Sequence, residues 1–586
     1  MPLWDNNELD DQPVFDLSTD FRGGMNSTVL PHLLLPNQYA VGYNVVLTDT
    51  GRIRTRGGLK ARMATSGDPV SGICYYETTA KELILMATDD GTTETLKAWN
   101  NSSEATIVGY TLEGRVSAFQ GGDNAYFFGD GGSEYYNGTT LYNNGVGEIA
   151  TITFAGTGYV VGELLTLTGG TYEVQTIMRV AAVDGSGGIT EVDFGSGAVV
   201  GEGYSVAPAG FTTSASGTGA TFTYQITEPP QGNIACWHTE RVFKNNVNAP
   251  DSLEISDILV PQRFPVSNRL TIGSDGEPIT GLHSWDNRNI VVFKTNSVYV
   301  IDCVGASPAN WTIQKVSSII GCVSHWTTTQ VGFDVWWLSR EGVQSLRRLF
   351  QETQREITDT ISAPVHNYIA QINWTIAAKA SMEFYDNKVF LAFPSNLAAE
   401  NDTWLIYDTY HKVWVSEWCD AAPPNLMIRS RFGNEPGFYV GTPQGELREY
   451  EDASKVDTDI TLTESDIGSY VTLRSFSFND PISDKDLLNI QLEFTNSDAL
   501  IDVWLSINDM NFVQIADDIR SEIDPLTIPF TIPAVLSSGG QFKRAFNLLK
   551  YRGVSTVQVK LQTSANRMSI RSVTLSAFLR NMRIEF

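Results

Sequence analysis

Ile279-Thr-Gly-Leu-His-Ser-Trp285, Asn289-Ile-Val-Val-Phe-Lys294 and Ser297-Val-Tyr-Val-Ile301 follow one another with only short polar turns between them. Each run has the length and the β-branched or aromatic content of a strand, and gaps this short leave room for hairpins alone. The unit is a strand ending in an aromatic residue, a turn, a strand of the Val-Val-Phe-Lys kind, and a third strand. It returns as Ala380-Ser-Met-Glu-Phe384, Val389 to Phe393 and Trp404 to Asp408. Single runs of the same type stand at Glu82 to Ala87, Asn124 to Phe128, Asp334 to Leu338 and Gly437 to Val440, with turns such as Asp90-Gly91, Asp130-Gly131, Asp386-Asn387 and Gln444-Gly445. Modules of about 40 to 50 residues built from short strands are the signature of β-propeller blades. Six or seven fit between Val70 and Tyr450. A set of stacked β-sandwiches has a similar periodicity and is the alternative. One helix is expected, near Asp359 to Gln371.

Two segments depart from the module. Residues 145–228 hold 17 Gly and a single basic residue, Arg179, yet keep alternating runs (Leu165-Thr-Leu167, Phe222-Thr-Tyr224) that a flexible linker lacks. Gly156-Thr-Gly-Tyr159 echoes Gly201-Glu-Gly-Tyr204, and Ala182 to Asp193 reads as a hairpin on a glycine turn. This is a small β domain inserted between two blades. After about Asp452, runs such as Asn489 to Phe494, Ile501 to Ile507, Val557 to Leu561 and Val573 to Phe578 alternate with period two, as in the half-buried strands of a sandwich. Residues 451–525 carry 17 acidic and 4 basic residues, whereas 541–586 carry 9 basic and only Glu585 acidic, so opposed strands can pair by charge. The chain thus divides into an arm closing onto the propeller (1–65), blades (66–144), the insert (145–229), further blades (230–452) and a C-terminal β-sandwich (453–586). The fold class is all-β.

With 40 Lys and Arg against 67 Asp and Glu the net charge is −27, the wrong sign for gripping phosphates. No apolar run reaches the roughly 18 to 20 residues of a membrane span, and Met1 to Asp16 lacks the basic and apolar regions of an export signal. Five dispersed cysteines (Cys74, Cys236, Cys303, Cys322 and Cys419) suit reduced, buried thiols. No HExxH, CxxC, phosphate-loop or dinucleotide-loop pattern is present, so no metal, cofactor or catalytic residue is assigned. Cys322 beside His325 reads as packed polar residues rather than a nucleophile and base. Asp457-Thr-Asp459 with Glu464 and Asp466 reads as a solvated acidic linker rather than a calcium loop. Arg52, Arg54, Arg56, Lys60 and Arg62 alternate along one strand face; solvation beside turns is the expected role, with a protein or phosphate contact as the alternative. Paired carboxylates on separate blades, as in propeller glycoside hydrolases, stay open.

The N-terminal region is more specific. Asp20-Phe-Arg-Gly-Gly-Met-Asn26, Leu35-Pro36, Asn44-Val45 and Gly51-Arg-Ile-Arg-Thr-Arg56-Gly-Gly58 resemble the opening of tail nozzle and hub proteins of short-tailed bacteriophages. Trp237 to Phe243, Leu253 to Asp257, Gly276 to Leu282, Trp311 to Val316 and Leu338 to Leu346 resemble the middle of that family. The matched residues Phe21, Gly23, Gly24, Asn26, Pro36, Asn44, Gly51, Arg56 and Gly58 read as architectural, since glycines permit turns that a Cβ obstructs. The resemblance implies a non-enzymatic virion protein. It would assemble in the host cytoplasm as a homo-hexameric ring below the adaptor, able to dock tail fibres, around a channel that double-stranded DNA crosses without specific binding. An acidic wall would repel that DNA over about 8 Å at physiological salt. The alternatives are a monomeric propeller that binds a receptor or glycan and, behind it, a propeller glycoside hydrolase.

Overall fold

The computed structural model describes residues 12–580 apart from 65–66, 216, 353–359, 419–422, 481–482, 496–498 and 521–540. Cys419 and the expected helix start at Asp359 lie outside the described residues.

Seven antiparallel blades form a β-propeller; five are separate small sheets and the last two belong to larger ones. Blade 1 is Val70–Glu77, Glu82–Asp89, Glu94–Trp99 and Glu104–Ile107. Blade 2 is Ser117–Gly121, Asn124–Phe128, Ser133–Tyr136 and Leu141–Asn143. Blade 3 is Ala235–His238, Arg241–Asn245, Ser252–Ile255 and Leu270–Thr271. Blade 4 is the opening stretch, Ile279–Ser284, Asn289–Lys294 and Val298–Asp302, completed by Thr312–Ser317. Blade 5 has three strands, Thr329–Val331, Asp334–Ser339 and Gly342–Ser345. Blade 6 is Ser381–Tyr385, Lys388–Phe393, Thr403–Asp408 and Val413–Trp418. Blade 7 takes Leu426–Phe432, Glu435–Gly441 and Glu446–Glu451 from late in the chain, and Gly58–Ala64 from its beginning. That last pairing closes the ring. The middle strands read as continuous apolar runs because a blade is covered by a neighbour on both faces: Val291 and Phe293 face one core, Ile290 and Val292 the next.

The sandwich is built from both chain ends. One sheet orders Val45–Leu47, Ile53–Thr55, Ser569–Leu579, Lys485–Thr495 and Gln541–Asn547, with Val14–Ser18 added along Ser569–Leu579. The other orders Gln38–Tyr43, Ser469–Phe476, Val557–Thr563, Leu500–Ile507 and Val513–Arg520, and continues into blade 6 through Tyr43 beside Glu417. Inward residues of the two sheets, among them Val471, Ile490, Val559 and Val573, share one core with Leu338, Val389 and Trp414 of blades 5 and 6. The opposed charges meet across strands: Arg571 pairs with Glu493 at 3.1 Å and Arg580 with Asp486 at 2.9 Å.

The helix expected to reach Gln371 is absent as one piece among residues 360–371. A 3-10 turn, Ala363–Val365, runs directly into a one-turn α-helix, His366–Ile369, so only this part of the expected span is helical. Pro364 fixes a turn there and supplies no amide proton to an upstream carbonyl. The seven-residue helix Leu346–Glu352 lies just upstream.

In the insert, a ribbon of Val146–Phe154 with Thr221–Thr227 carries a four-stranded sheet. Its echoed halves have matching roles: Tyr159 and Tyr204 are buried, and their hydroxyls accept from the amides of Ala220 (3.3 Å) and Thr176 (2.9 Å). The expected hairpin forms from Ile177–Val183 and Ile189–Asp193. The insert seats on blade 2 through Glu173, which accepts from the Tyr135 hydroxyl at 2.5 Å and from Asn137. Glu202 lies across a backbone bridge from Val174, and its half-buried carboxyl is pushed up to about 7 by burial and then by the Glu173 charge. A carboxyl raised on folding stabilises the seated insert at low pH and withdraws that contribution as pH climbs through about 7. Amide protection factors over 171–206 are therefore expected to fall between about pH 4.5 and pH 7, and to hold steady in Glu202→Gln.

Candidate functional site

The residues singled out at the N-terminus converge on the joint between sandwich and propeller. Phe21 is fully buried, edge-on to Tyr39 at 6.3 Å, and the Tyr39 hydroxyl donates to Val415 O of blade 6 at 2.7 Å. Gly24 takes φ +70 with the Trp414 carbonyl where its Cβ would stand, 2.5 Å away, so both conformation and space demand glycine. The amides of Gly23 and Asn26 donate to Asn37 O and Tyr39 O, each at 3.0 Å. The Gly51 amide closes a turn on Thr48 O at 2.8 Å. Pro36 stands apart, exposed on the adjoining loop.

Arg56 is the centre of the joint. Its guanidinium, 1% exposed, forks onto Asp457 at 2.8 and 2.7 Å, donates to Asn44 Oδ1 at 3.1 Å and Gly57 O at 2.8 Å, and faces the Trp418 ring at 5.4 Å. Asn44, at φ +53, donates in turn to Gly468 O at 2.9 Å. A buried charge is tolerated only when its partners replace the lost water, and here Asn44, Gly57, Trp418 and Asp457 supply them from four stretches of the chain. Two expectations are corrected. The basic run is not solvated beside turns: Arg54 pairs with Asp452, Arg56 with Asp457, and Arg62 with Glu449 and Glu451. Asp457 is not a solvated linker residue but the buried counter-ion, on a short strand parallel to Gly58–Ala64. Acidic side chains placed opposite by strand pairing outcompete water for these cations.

The second locus went unassigned in the sequence. On the propeller axis lies a cavity of about 520 Å³ lined by all seven blades, through Ile73, Phe119, Trp237, His283, Gln330, Glu383 and Arg429 in blade order. Beside it, Arg115 donates to Ala378 O (3.0 Å) and Asn425 O (2.6 Å) and packs 4.3 Å from the ring centroid of Trp326, which lines the cavity. Burial lowers the Arg115 pKa to about 9. Further along the inner strands, Glu383 Oε1 accepts from Arg429 Nε at 3.0 Å, Thr329 Oγ1 at 3.2 Å and the Phe384 amide at 2.9 Å. Burial lowers His283 to about 4 and His325 to about 3, aided by Arg429 at the first and by His283 and Arg115 at the second. Both imidazoles are neutral at pH 7. His325 Nδ1 accepts from the Leu282 amide at 3.3 Å. Cys322 is buried with its thiol pushed up to about 12 and donating to Ser324 O at 3.2 Å, an environment that disfavours the thiolate a nucleophile needs. Among the described residues lining the cavity Glu383 is the one carboxylate, so the two-carboxylate geometry of glycoside cleavage is not built there. The signal for this site was the position: Trp237, His283, Glu383 and Arg429 stand on the innermost strand of their modules, among other polar residues such as His238 and Arg431 that do not line the cavity.

Neither protein-family models nor curated proteins give a match to the chain. Among solved structures it is similar to the WD40 domain of Toxoplasma gondii coronin, at 9% identity over 67% of this chain and 83% of that one, TM-score 0.30. It is similar as well to the Neurospora crassa Pan2 WD40 domain (8% identity, 70% and 98% covered, TM-score 0.33) and to YCF48 from Cyanidioschyzon merolae (9%, 67% and 98%, TM-score 0.28). The chain is an all-β propeller by its own strand pairing, to which likenesses of this low TM-score add no argument.

Proposed function

We propose that the chain is a structural virion protein, the nozzle or hub of a short-tailed bacteriophage tail, acting as a hexameric ring below the adaptor. One observation carries this reading: eight of the nine residues by which the sequence resembles that family lie at or beside the joint that welds propeller to sandwich. Such a joint suits a part that bears load without catalysing anything. The axial cavity, about 520 Å³, has the volume of a small-molecule site and not of a duplex, so a DNA conduit would lie between copies rather than through a propeller. A net charge of −27 per copy suits a wall that lets the duplex slide, because it offers few cations for counterion-releasing contacts. Mass photometry of the purified chain, alone and with the adaptor ring of the same virus, tests the reading. The expected result is a species at six times 64.5 kDa, or an adaptor complex that gains six copies. A monomer indifferent to the adaptor would overturn it and favour a receptor-binding tail subunit.

A further inference from the structure

We infer that the axial cavity of the propeller is a binding site for a neutral pyranose sugar, held between the Trp237 indole and the Glu383–Arg429 pair. The cavity's size, about 520 Å³, falls inside the roughly 300–1,000 Å³ range of small-molecule sites. Its charge is balanced. Glu383 is neutralised by Arg429, and the neutral His283 and His325 add none. A charged ligand would lose its hydration with no counter-charge to meet it, whereas a neutral polyol exchanges water hydrogen bonds for protein ones.

The polar groups suit vicinal hydroxyls. Glu383 accepts from Arg429, Thr329 and the Phe384 amide all through Oε1, which leaves Oε2 to accept from a ligand hydroxyl. Arg429 uses Nε on that carboxylate while its side chain stays 49% exposed, so its remaining N–H groups can donate to the neighbouring hydroxyl. Acceptor and donor side by side on a planar pair match a 1,2-diol. Ser381 supplies an independent sign of a missing partner. It lines the cavity, is 2% exposed, and its hydroxyl has no partner among the described residues; buried hydroxyls are ordinarily satisfied. Trp237 lines the same cavity half-buried. Gly121 gives its indole room, since a Cβ there would lie 2.7 Å from the ring. A flat aromatic ring buries a large apolar area against the C–H face of a sugar at little entropic cost.

The site lies within one propeller, so its test is independent of ring formation. Saturation-transfer difference NMR on the full chain would use glucose, galactose, mannose, N-acetylglucosamine and rhamnose as probes. Ring-proton saturation of at least one is expected, with affinity about tenfold or more weaker in Glu383→Gln, the loss for a charged hydrogen bond. Trp237→Ala is expected to abolish the signal. Thermal unfolding of each variant separates site loss from misfolding, and Glu383→Gln keeps the side chain's shape if Trp237→Ala fails to fold. No saturation of any probe, saturation unchanged in a folded Glu383→Gln, or displacement of a bound sugar by inorganic phosphate would each overturn the inference.

Discussion

Arg56→Ala is expected to cost about 3–5 kcal/mol, the range for removing one partner of a buried ion pair. The loss comes from what is left behind. Asp457 keeps the Leu59 amide at 2.8 Å but loses both prongs of the guanidinium, and Asn44 loses the donor to its side-chain oxygen. Lysine is no rescue, because a point-like ammonium cannot fork onto a carboxylate and reach Asn44 as well. Chemical denaturation followed by tryptophan fluorescence reads the effect, with Trp418 5.4 Å from the guanidinium as a local reporter. Replacing both partners with apolar residues, Arg56→Met with Asp457→Leu, is expected to recover much of the loss, since no charge then stays buried alone. A single-variant loss below about 1 kcal/mol would contradict a central role for this pair, being the range of an exposed one.

Gly58→Ala is expected to be at least as damaging. Gly58 begins the strand that closes blade 7, and a Cβ on it would overlap the Val456 carbonyl oxygen and crowd the Ser454 side chain. Backbone on both sides cannot withdraw as a flexible side chain would, so either the ring closure or the parallel strand carrying Asp457 must shift. A loss above about 4 kcal/mol, in the range reserved for such overpacking and strain, should appear as low soluble yield and rapid exchange over Gly58–Ala64. Gly131→Ala is the control: its Cβ would meet open space, and a near-neutral result is expected. Equal stability of the two variants would refute the close-approach argument.

These variants touch residues that the sequence marks as architectural, and the marking has a physical basis. A glycine pair in Phe-Arg-Gly-Gly or Arg-Gly-Gly announces backbone that a Cβ would obstruct. What it cannot announce is the obstruction itself, which is Trp414 O for Gly24 and Val456 O for Gly58, several hundred residues away. The basic run shows the same limit. Even spacing suggested one strand face, but Arg54 lies on the sandwich strand Ile53–Thr55, Arg62 on the blade 7 strand Gly58–Ala64 and Arg56 between them, and their counter-ions sit at 449–457, so a solvated run and a paired one looked alike.

The amino-acid sequence alone determined the blade theme, the inserted β domain with its paired tyrosines, and the alternation of the C-terminal strands, because each rests on local periodicity and turn chemistry. Tertiary structure decided that there are seven blades, that the first residues complete both the last blade and the sandwich, and that one sheet runs from blade 6 into the sandwich. It also decided that Trp237, Glu383 and Arg429, on three different modules, line one cavity. Local pattern sets what a strand is. Which strands meet depends on how the ring closes, and closure pairs residues too far apart in sequence for any local pattern to record.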